Sequence, residues 1–260
     1  MSEITTDSVQ AFWQRNPLCA SAVPHELGSR EYFTYYDGLR EHNESPAFSA
    51  QLHEYADFAG KRVLDVGCGN GYVLQRYAEA GAQVDGVDVT DMAIDLCTKR
   101  FGFAGVDGTF TRTTAETLPF ADDTFDCVCS MGVLHHVPDT TKAISEVARV
   151  LKPGGRLIIM MYHRNSWLYR VTFPWVSILT RKSVQQLVNE VDGVGNPKGD
   201  VYTRKELEAA LPEIRDLEMF SRLLQGWMFL PYIGRVLPDA LFRPFQNRLG
   251  WFIYAKGWRR

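Results

Sequence analysis

The chain has 260 residues, 45% hydrophobic and 23% charged, enough apolar material for a full core, which excludes a chain dominated by disorder. Its formal net charge of -3 lacks the basic excess that replaces phosphate counterions, so no nucleic-acid partner is expected and a small-molecule partner is favoured. No apolar run reaches the roughly 18 to 20 residues of a membrane span, and residues 1–8 are polar, without the basic and apolar regions of a secretion signal.

Residues 1–58 carry helical spacing in two pieces. One surrounds Val9, Phe12 and Trp13; the other covers residues 30–52 and contains Tyr32, Phe33, Tyr35, Tyr36 and Leu39. Asn16-Pro17 and Val23-Pro24 break regular structure between them. A short apolar run over residues 62–66 then leads into a glycine turn and predicts a buried parallel strand. Helical spacing over residues 72–80 stops at Gly81. Residues 83–89 predict a second strand, 92–101 a second helix, 109–113 a weaker third strand and 125–130 a fourth. A helix over residues 140–151 is closed by Lys152-Pro153-Gly154-Gly155, and residues 156–162 form the fifth strand. Strands alternating with helices predict an α/β fold, a parallel sheet with helices on both faces.

Beyond Tyr162, residues 165–191 predict one or two helices interrupted at Pro174, and residues 192–200 a glycine-rich loop. Thr203 and Glu206 form a capping box for a short helix ending near Leu211-Pro212. Residues 217–224 and 251–256 read as a final pair of strands at the sheet edge. The aromatic-rich stretch between them is broken by Pro231, Pro238 and Pro244. Five cysteines (Cys19, Cys68, Cys97, Cys127, Cys129) show no spacing of a zinc site or disulfide framework. Cys127 and Cys129 alternate on a predicted buried strand, where cysteine behaves as a small hydrophobe. A reducing, cytoplasmic setting is expected, with no bound metal.

Val63-Leu64-Asp65-Val66-Gly67-Cys68-Gly69-Asn70-Gly71 is a strand, a glycine turn and a helix start. Glycines let a ligand approach the backbone, and the helix N-terminus adds partial positive charge and free N–H groups. Ligands of open α/β sheets bind outside the carboxyl ends of strands, where the strand order reverses. A dinucleotide fingerprint would be G-x-G-x-x-G, but bulky Tyr72 follows Gly71 here. Asp88 ends the second predicted strand, placed to accept hydrogen bonds from both ribose hydroxyls of a nucleoside.

With Asp65 before Gly67, Gly69 and Gly71, this segment resembles motif I of the class I S-adenosylmethionine (SAM) methyltransferases. Thr114-Ala115-Glu116-Thr117-Leu118-Pro119-Phe120 and Phe125-Asp126-Cys127-Val128-Cys129-Ser130 resemble the D-A-x-x-L-P-F and F-D-x-V stretches of the ubiquinone/menaquinone C-methylase-like (type 11) group. Met131 to Asp139 and Leu151 to Leu157 resemble that group's segments after the fourth strand and before the fifth, so the likeness covers residues 60–162. It implies a Rossmann-like, seven-stranded sheet, mostly parallel with an antiparallel last strand, and SAM as cofactor. It also implies cofactor contacts by Asp65, Gly67, Cys68, Gly69, Gly71, Asp88, Val89, Met92, Thr114, Ala115, Met131 and His136. The group carries an acid where this chain has Thr114; Thr114 can still accept one hydrogen bond, and Glu116 is an alternative partner for adenine.

Methyl transfer from a sulfonium needs alignment and exclusion of water, and a general base only where the acceptor enters protonated. His135 and His136 after the fourth strand, His163 after the fifth and Tyr162 are the candidates, His136 first among them. Packing or capping is the alternative role for each histidine. A tyrosine of the N-terminal helix, Tyr36 for instance, reaches the methionine end of SAM in this reading, with plain packing of that helix as the alternative. The implied organisation is a helical cap (1–58), a SAM-binding core (59–162), and an acceptor-site insertion with the closing strand pair (163–260). Tryptophans and phenylalanines of the last region suggest a partly apolar or aromatic acceptor, with a homodimer interface as their other use. Competing readings are transfer of another SAM-derived group, an NAD-dependent oxidoreductase, and a non-catalytic SAM-binding protein.

Overall fold

The computed structural model describes residues 4–17, 22–229 and 238–260; Cys19 and Pro231 lie outside these residues. Helices α1 (Thr6–Arg15), α2 (Arg30–Asn43) and α3 (Pro46–His53) precede the first strand. Each starts at a hydroxyl that accepts a backbone N–H of its first turn: Thr5 from Ser8, Ser29 from Tyr32 and Ser45 from Phe48. The single helix expected over residues 30–52 is therefore two. Pro46 has no N–H to donate and sits in the first turn of the new helix, behind Ser45.

The alternation follows as β1 (Arg62–Val66), α4 (Tyr72–Glu79), β2 (Gln83–Asp88), α5 (Asp91–Ala104), β3 (Thr109–Arg112), β4 (Phe125–Met131), α6 (Thr140–Val150) and β5 (Leu151–His163). Strand β5 starts five residues before the expected 156. Leu151 already pairs with Phe125, and after a register shift Arg156 pairs with Cys127, so residues 152–155 bulge between the two. Next come α7 (Phe173–Thr180), α8 (Val184–Asn189), β6 (Val201–Tyr202), α9 (Arg204–Ala210), β7 (Ile214–Arg222), α10 (Gln246–Leu249) and β8 (Phe252–Arg259). Pro174 does not interrupt its helix. A π-helical turn, Leu168–Thr172, runs into α7 and leaves the proline in the first turn, where a missing N–H is tolerated. Helix α9 opens on the expected Thr203–Glu206 capping box.

All described strands join one eight-stranded sheet of order β3-β2-β1-β4-β5-β8-β7, with β6 beside the end of β5. The eighth strand, β6, is only two residues long, too short for hydrophobic alternation to register. Strands β1 to β5 pair in parallel. Strand β8 runs antiparallel between β5 and β7, so only β7 of the closing pair is an edge.

Alternation along β4 feeds two cores. Cys127 and Cys129 enter one with Leu74, Tyr77 and Leu96, whereas Val128 faces Leu64, Val147 and Leu157 on the other side. Helices α2 and α3 add Tyr32, Phe33, Tyr36 and Phe48 to the first core. A third cluster, including Tyr162, Tyr169, Leu224 and Met228, joins the segments that follow β5 and β7. No described helix is long and apolar enough to cross a membrane.

Candidate functional site

The strand order reverses at β1, which has β2 on one side and β4 on the other. Loops leaving such neighbours diverge and open a crevice at their carboxyl ends. The bend after β1 is pinned there, because the N–H groups of Gly67 and Cys68 both donate to the Val87 carbonyl, at 2.7 and 3.0 Å. Gly67, Gly69 and Gly71 all have positive φ, for different reasons. A Cβ on Gly67 would lie 2.2 Å from Val133, and one on Gly71, which caps α4, would lie 3.2 Å from the Cys97 sulfur. At Gly69, φ +54°, a Cβ would meet no atom within 4 Å and would enter open space. Bare backbone faces the crevice at Gly69.

The crevice is the mouth of a cavity of about 660 Å³. Gly67, Cys68 and Gly69 line it, whereas Gly71 does not and shapes the bend from behind. Asp88 lines it from the tip of β2. Its Oδ1 accepts from the N–H and hydroxyl of Thr90 at 3.0 and 2.9 Å, and its Oδ2 from Gly69 N–H at 3.2 Å. Burial raises this carboxyl above its ordinary range. Val89 and Met92 continue the wall, followed by Thr114, Ala115 and Glu116. The Glu116 carboxylate is already engaged, accepting from Asp139 N–H at 2.6 Å and the Thr6 hydroxyl at 3.4 Å. Asp65 and Met131 border the deeper part, together with Tyr36. Burial pushes the Asp65 carboxyl up to about 7, against the opposing pull of Cys129 and Arg40. Its Oδ1 is buried without a hydrogen-bond partner among the described residues.

At the other end stand His136 and Tyr162, brought together by Asp192 from the turn after α8. His136 Nδ1 lies 2.6 Å from the Lys198 carbonyl oxygen. A carbonyl can only accept, so Nδ1 carries the proton and Nε2 faces Asp192 Oδ2 at 3.3 Å. The Tyr162 hydroxyl donates to the same Oδ2. Burial, then the Asp192 charge, raises Tyr162 well above its ordinary value, so it stays a phenol and a donor. The Trp13 ring meets His136 edge-on at 5.1 Å.

Two expected histidines stand elsewhere. His163 does not line the cavity; its Nδ1 lies 3.1 Å from the Gly250 carbonyl and 3.3 Å from the Ser221 hydroxyl. His135 is 0% exposed, wedged between the rings of His136 and Tyr162 at 4.1 and 4.0 Å, and burial holds it neutral. For both, packing is what the surroundings provide.

Sequence reasoning did not single out Asp192 or Arg100. Asp192 lies 56 positions after His136 in a loop whose glycines gave no ligand signal. Buried Arg100 ties the bend down: its Nε donates to Asn70 O at 2.7 Å and its guanidinium pairs with Asp37 of α2 at 2.8 Å. A buried arginine on a predicted helix has no mark in sequence that separates it from a solvated one.

A reversed parallel sheet with a glycine bend at its switch point and a carboxylate at the next strand tip defines the nucleoside-binding class of α/β proteins. The methyltransferase domain family matches residues 64–159. The ubiquinone biosynthesis O-methyltransferase of Hahella chejuensis is 38% identical over 133 residues, 50% of this chain and 56% of that protein. The protein of that name from Paraburkholderia phymatum is 33% identical over 160 residues, covering 58% and 69% of the two chains. The chain thus spans little more than half of the first relative's length. A solved phosphoethanolamine N-methyltransferase of Haemonchus contortus, in complex with S-adenosylhomocysteine, shares the fold with TM-score 0.58 at 18% identity, over 84% of this chain and 53% of that one. The chain belongs to the class I SAM-dependent methyltransferase family.

SAM is the cofactor of this family, and the residues present fit it. The cradle at Gly69 admits a ligand where any side chain would intrude, and the unpartnered Asp65 oxygen suits a cationic group.

Proposed function

We propose that the chain transfers the methyl group of SAM to a small, partly apolar or aromatic acceptor by direct in-line displacement. The observation that carries this reading is that the glycine bend, the Asp88 carboxylate and the His136–Asp192 pair border one cavity. SAM supplies a methyl group already activated by its positive sulfur. The protein must hold the nucleoside, align the acceptor, exclude water and take up a proton.

Asp88 accepts from the ribose hydroxyls, and the backbone of Gly67, Cys68 and Gly69 runs beneath the nucleoside, with Gly71 shaping the bend. Val89 and Met92 flank adenine. Because Glu116 is spent on Asp139, the Thr114 hydroxyl and the Ala115 backbone are left for the adenine edge. Tyr36, Asp65 and Met131 attend the methionine end. Residues 1–58 act as a helical cap, 59–162 as the cofactor core, and 163–260 supply the acceptor side and the closing strands. The four described cysteines are free and buried, which supports a reducing compartment, the cytoplasm.

The relatives' naming as O-methyltransferases supports a hydroxyl acceptor, which must lose its proton as the O–CH₃ bond forms and the S–CH₃ bond breaks. His136 Nε2 takes that proton, and Asp192 stabilises the imidazolium that results. Tyr162, donating to Asp192, fixes the carboxylate in place.

Asp88→Ala is expected to weaken SAM binding by about 1–3 kcal/mol, the cost of leaving ribose hydroxyls unpaired. Unchanged affinity by calorimetry would take Asp88 out of the site. Asp65 yields a pH prediction. Its folded-state value near 7 lies above that of an unfolded aspartate, so its contribution to stability is present in acid and lost as pH rises towards 7. Relative to Asp65→Asn, the wild type should lose roughly 3 kcal/mol between pH 4 and 7 and little above. Urea midpoints whose gap does not vary with pH would contradict a buried, proton-holding Asp65.

The function itself is tested by screening small hydroxylated acceptors with methyl-labelled SAM. A product heavier by one CH₂ unit is expected. A product carrying a larger SAM-derived group would overturn methyl transfer.

A further inference from the structure

Past the His136–Tyr162 end, the cavity runs on over the sheet, and its floor can be read from the strand register. Tyr162 of β5 pairs with Phe252 of β8, which pairs with Arg222 of β7. Directly paired residues project to one face, so the three form a row across three strands. Tyr162 and Phe252 stack with centroids 6.1 Å apart and planes 13° apart. The row beneath is Met160, Tyr254 and Phe220, the last two stacked at 5.3 Å. The floor is thus aromatic and apolar, and it ends on a guanidinium.

Among the described residues that guanidinium has no anion. Arg222 lies over the Phe48 ring, 3.9 Å from its centroid, and has no carboxylate within ion-pair distance among the described residues. The other arginine lining the cavity among the described residues is committed: Arg40 pairs with Glu44 at 3.0 Å, and Glu44 also accepts from the Tyr254 hydroxyl. Gln225 and Asn43, bonded to each other at 3.2 Å, lie on the same wall. A planar fork of donors at the end of an aromatic slot matches an oxyanion that offers two oxygens side by side, a carboxylate or a phosphate, on an aromatic body. Two strand spacings, roughly 10 Å, separate the backbones of Arg222 and Tyr162, a span suited to one substituted ring.

We infer that Arg222 is the anchor of an oxyanion subsite, and that the acceptor is an aromatic hydroxyl compound bearing a carboxylate or a phosphate. The anionic head meets Arg222 while the ring lies along Phe252 and presents its hydroxyl towards His136. This assignment rests on the methyl-transfer reading and adds to it the charge of the substrate and the end by which it is held.

The test is calorimetric binding to the full chain saturated with S-adenosylhomocysteine, so that no turnover is required. The probes are protocatechuate, its neutral carboxamide, and phenyl phosphate. Wild type should bind an oxyanion at least about tenfold more tightly than the carboxamide, the usual worth of a charge-assisted contact. Whichever of protocatechuate and phenyl phosphate binds more tightly identifies the head group. Arg222→Met should erase the preference and Arg222→Lys retain part of it, with S-adenosylhomocysteine affinity unchanged in both as the control for folding. Equal affinity for acid and amide in the wild type, equal loss of both in Arg222→Met, or no binding of any probe would overturn the assignment. Failure to bind S-adenosylhomocysteine at all would instead defeat the reading beneath it.

Discussion

Replacing Gly69 by valine is expected to abolish binding of SAM and S-adenosylhomocysteine while leaving the fold intact. The added Cβ meets no protein atom within 4 Å, so the side chain starts out into the space above the bend that the nucleoside needs. The backbone cost is local. A non-glycine residue at φ +54° is strained by about 1–2 kcal/mol, more for a β-branched one, too little to unfold a domain with a full core. Gly67→Ala is the informative contrast, because its Cβ would lie 2.2 Å from Val133 and the damage would fall on stability. The pair separates a position that faces ligand from one that faces protein. Affinity in Gly69→Val within about threefold of wild type, less than 1 kcal/mol, would mean that the ligand lies elsewhere.

The second large effect is expected at the proton acceptor. His136→Gln should lower kcat by about 100- to 10,000-fold for a hydroxyl acceptor, the usual contribution of a positioned general base, with SAM affinity nearly unchanged. Asp192→Asn should lower kcat in the same direction by a smaller factor, because the imidazole stays in place but loses the carboxylate that stabilises its protonated form. Asp192 also holds Tyr162, so Tyr162→Phe, which removes only that hydrogen bond, is the control. Single-turnover rates with saturating SAM separate these variants from defects in cofactor binding. A kcat in His136→Gln equal to wild type would show that the acceptor sheds its proton without this histidine.

The end of the cavity bordered by the glycine bend and Asp88 was legible in sequence because its signals are local. A strand, a positive-φ glycine and a helix start must be adjacent in the chain to make the bend, and Asp88 follows at the end of the next strand of the same βαβ unit. The parallel strands were legible for the same reason, whereas the antiparallel last strand was implied by the family resemblance. What escaped was tertiary. Asp192 reaches His136 only because the segment after β5 folds back over the sheet, and Arg222 enters the cavity only through a register across β8. His163 stood behind His136 among the candidates although both follow a predicted strand, and the antiparallel β8 begins beside it and draws its ring to Gly250. The split of the second N-terminal helix was written in Ser45-Pro46, a cap followed by a proline, and a reading by hydrophobic spacing alone passed over it.

A crystal structure of the protein grown with S-adenosylhomocysteine bears most directly on the claim that a nucleoside lies across the bend after β1. The expected result is ribose hydroxyls on Asp88, adenine between Met92 and Thr114, and the thioether sulfur pointing along the floor towards His136. A ligand bound outside this crevice, or a crevice closed by side chains with the ligand absent, would contradict it.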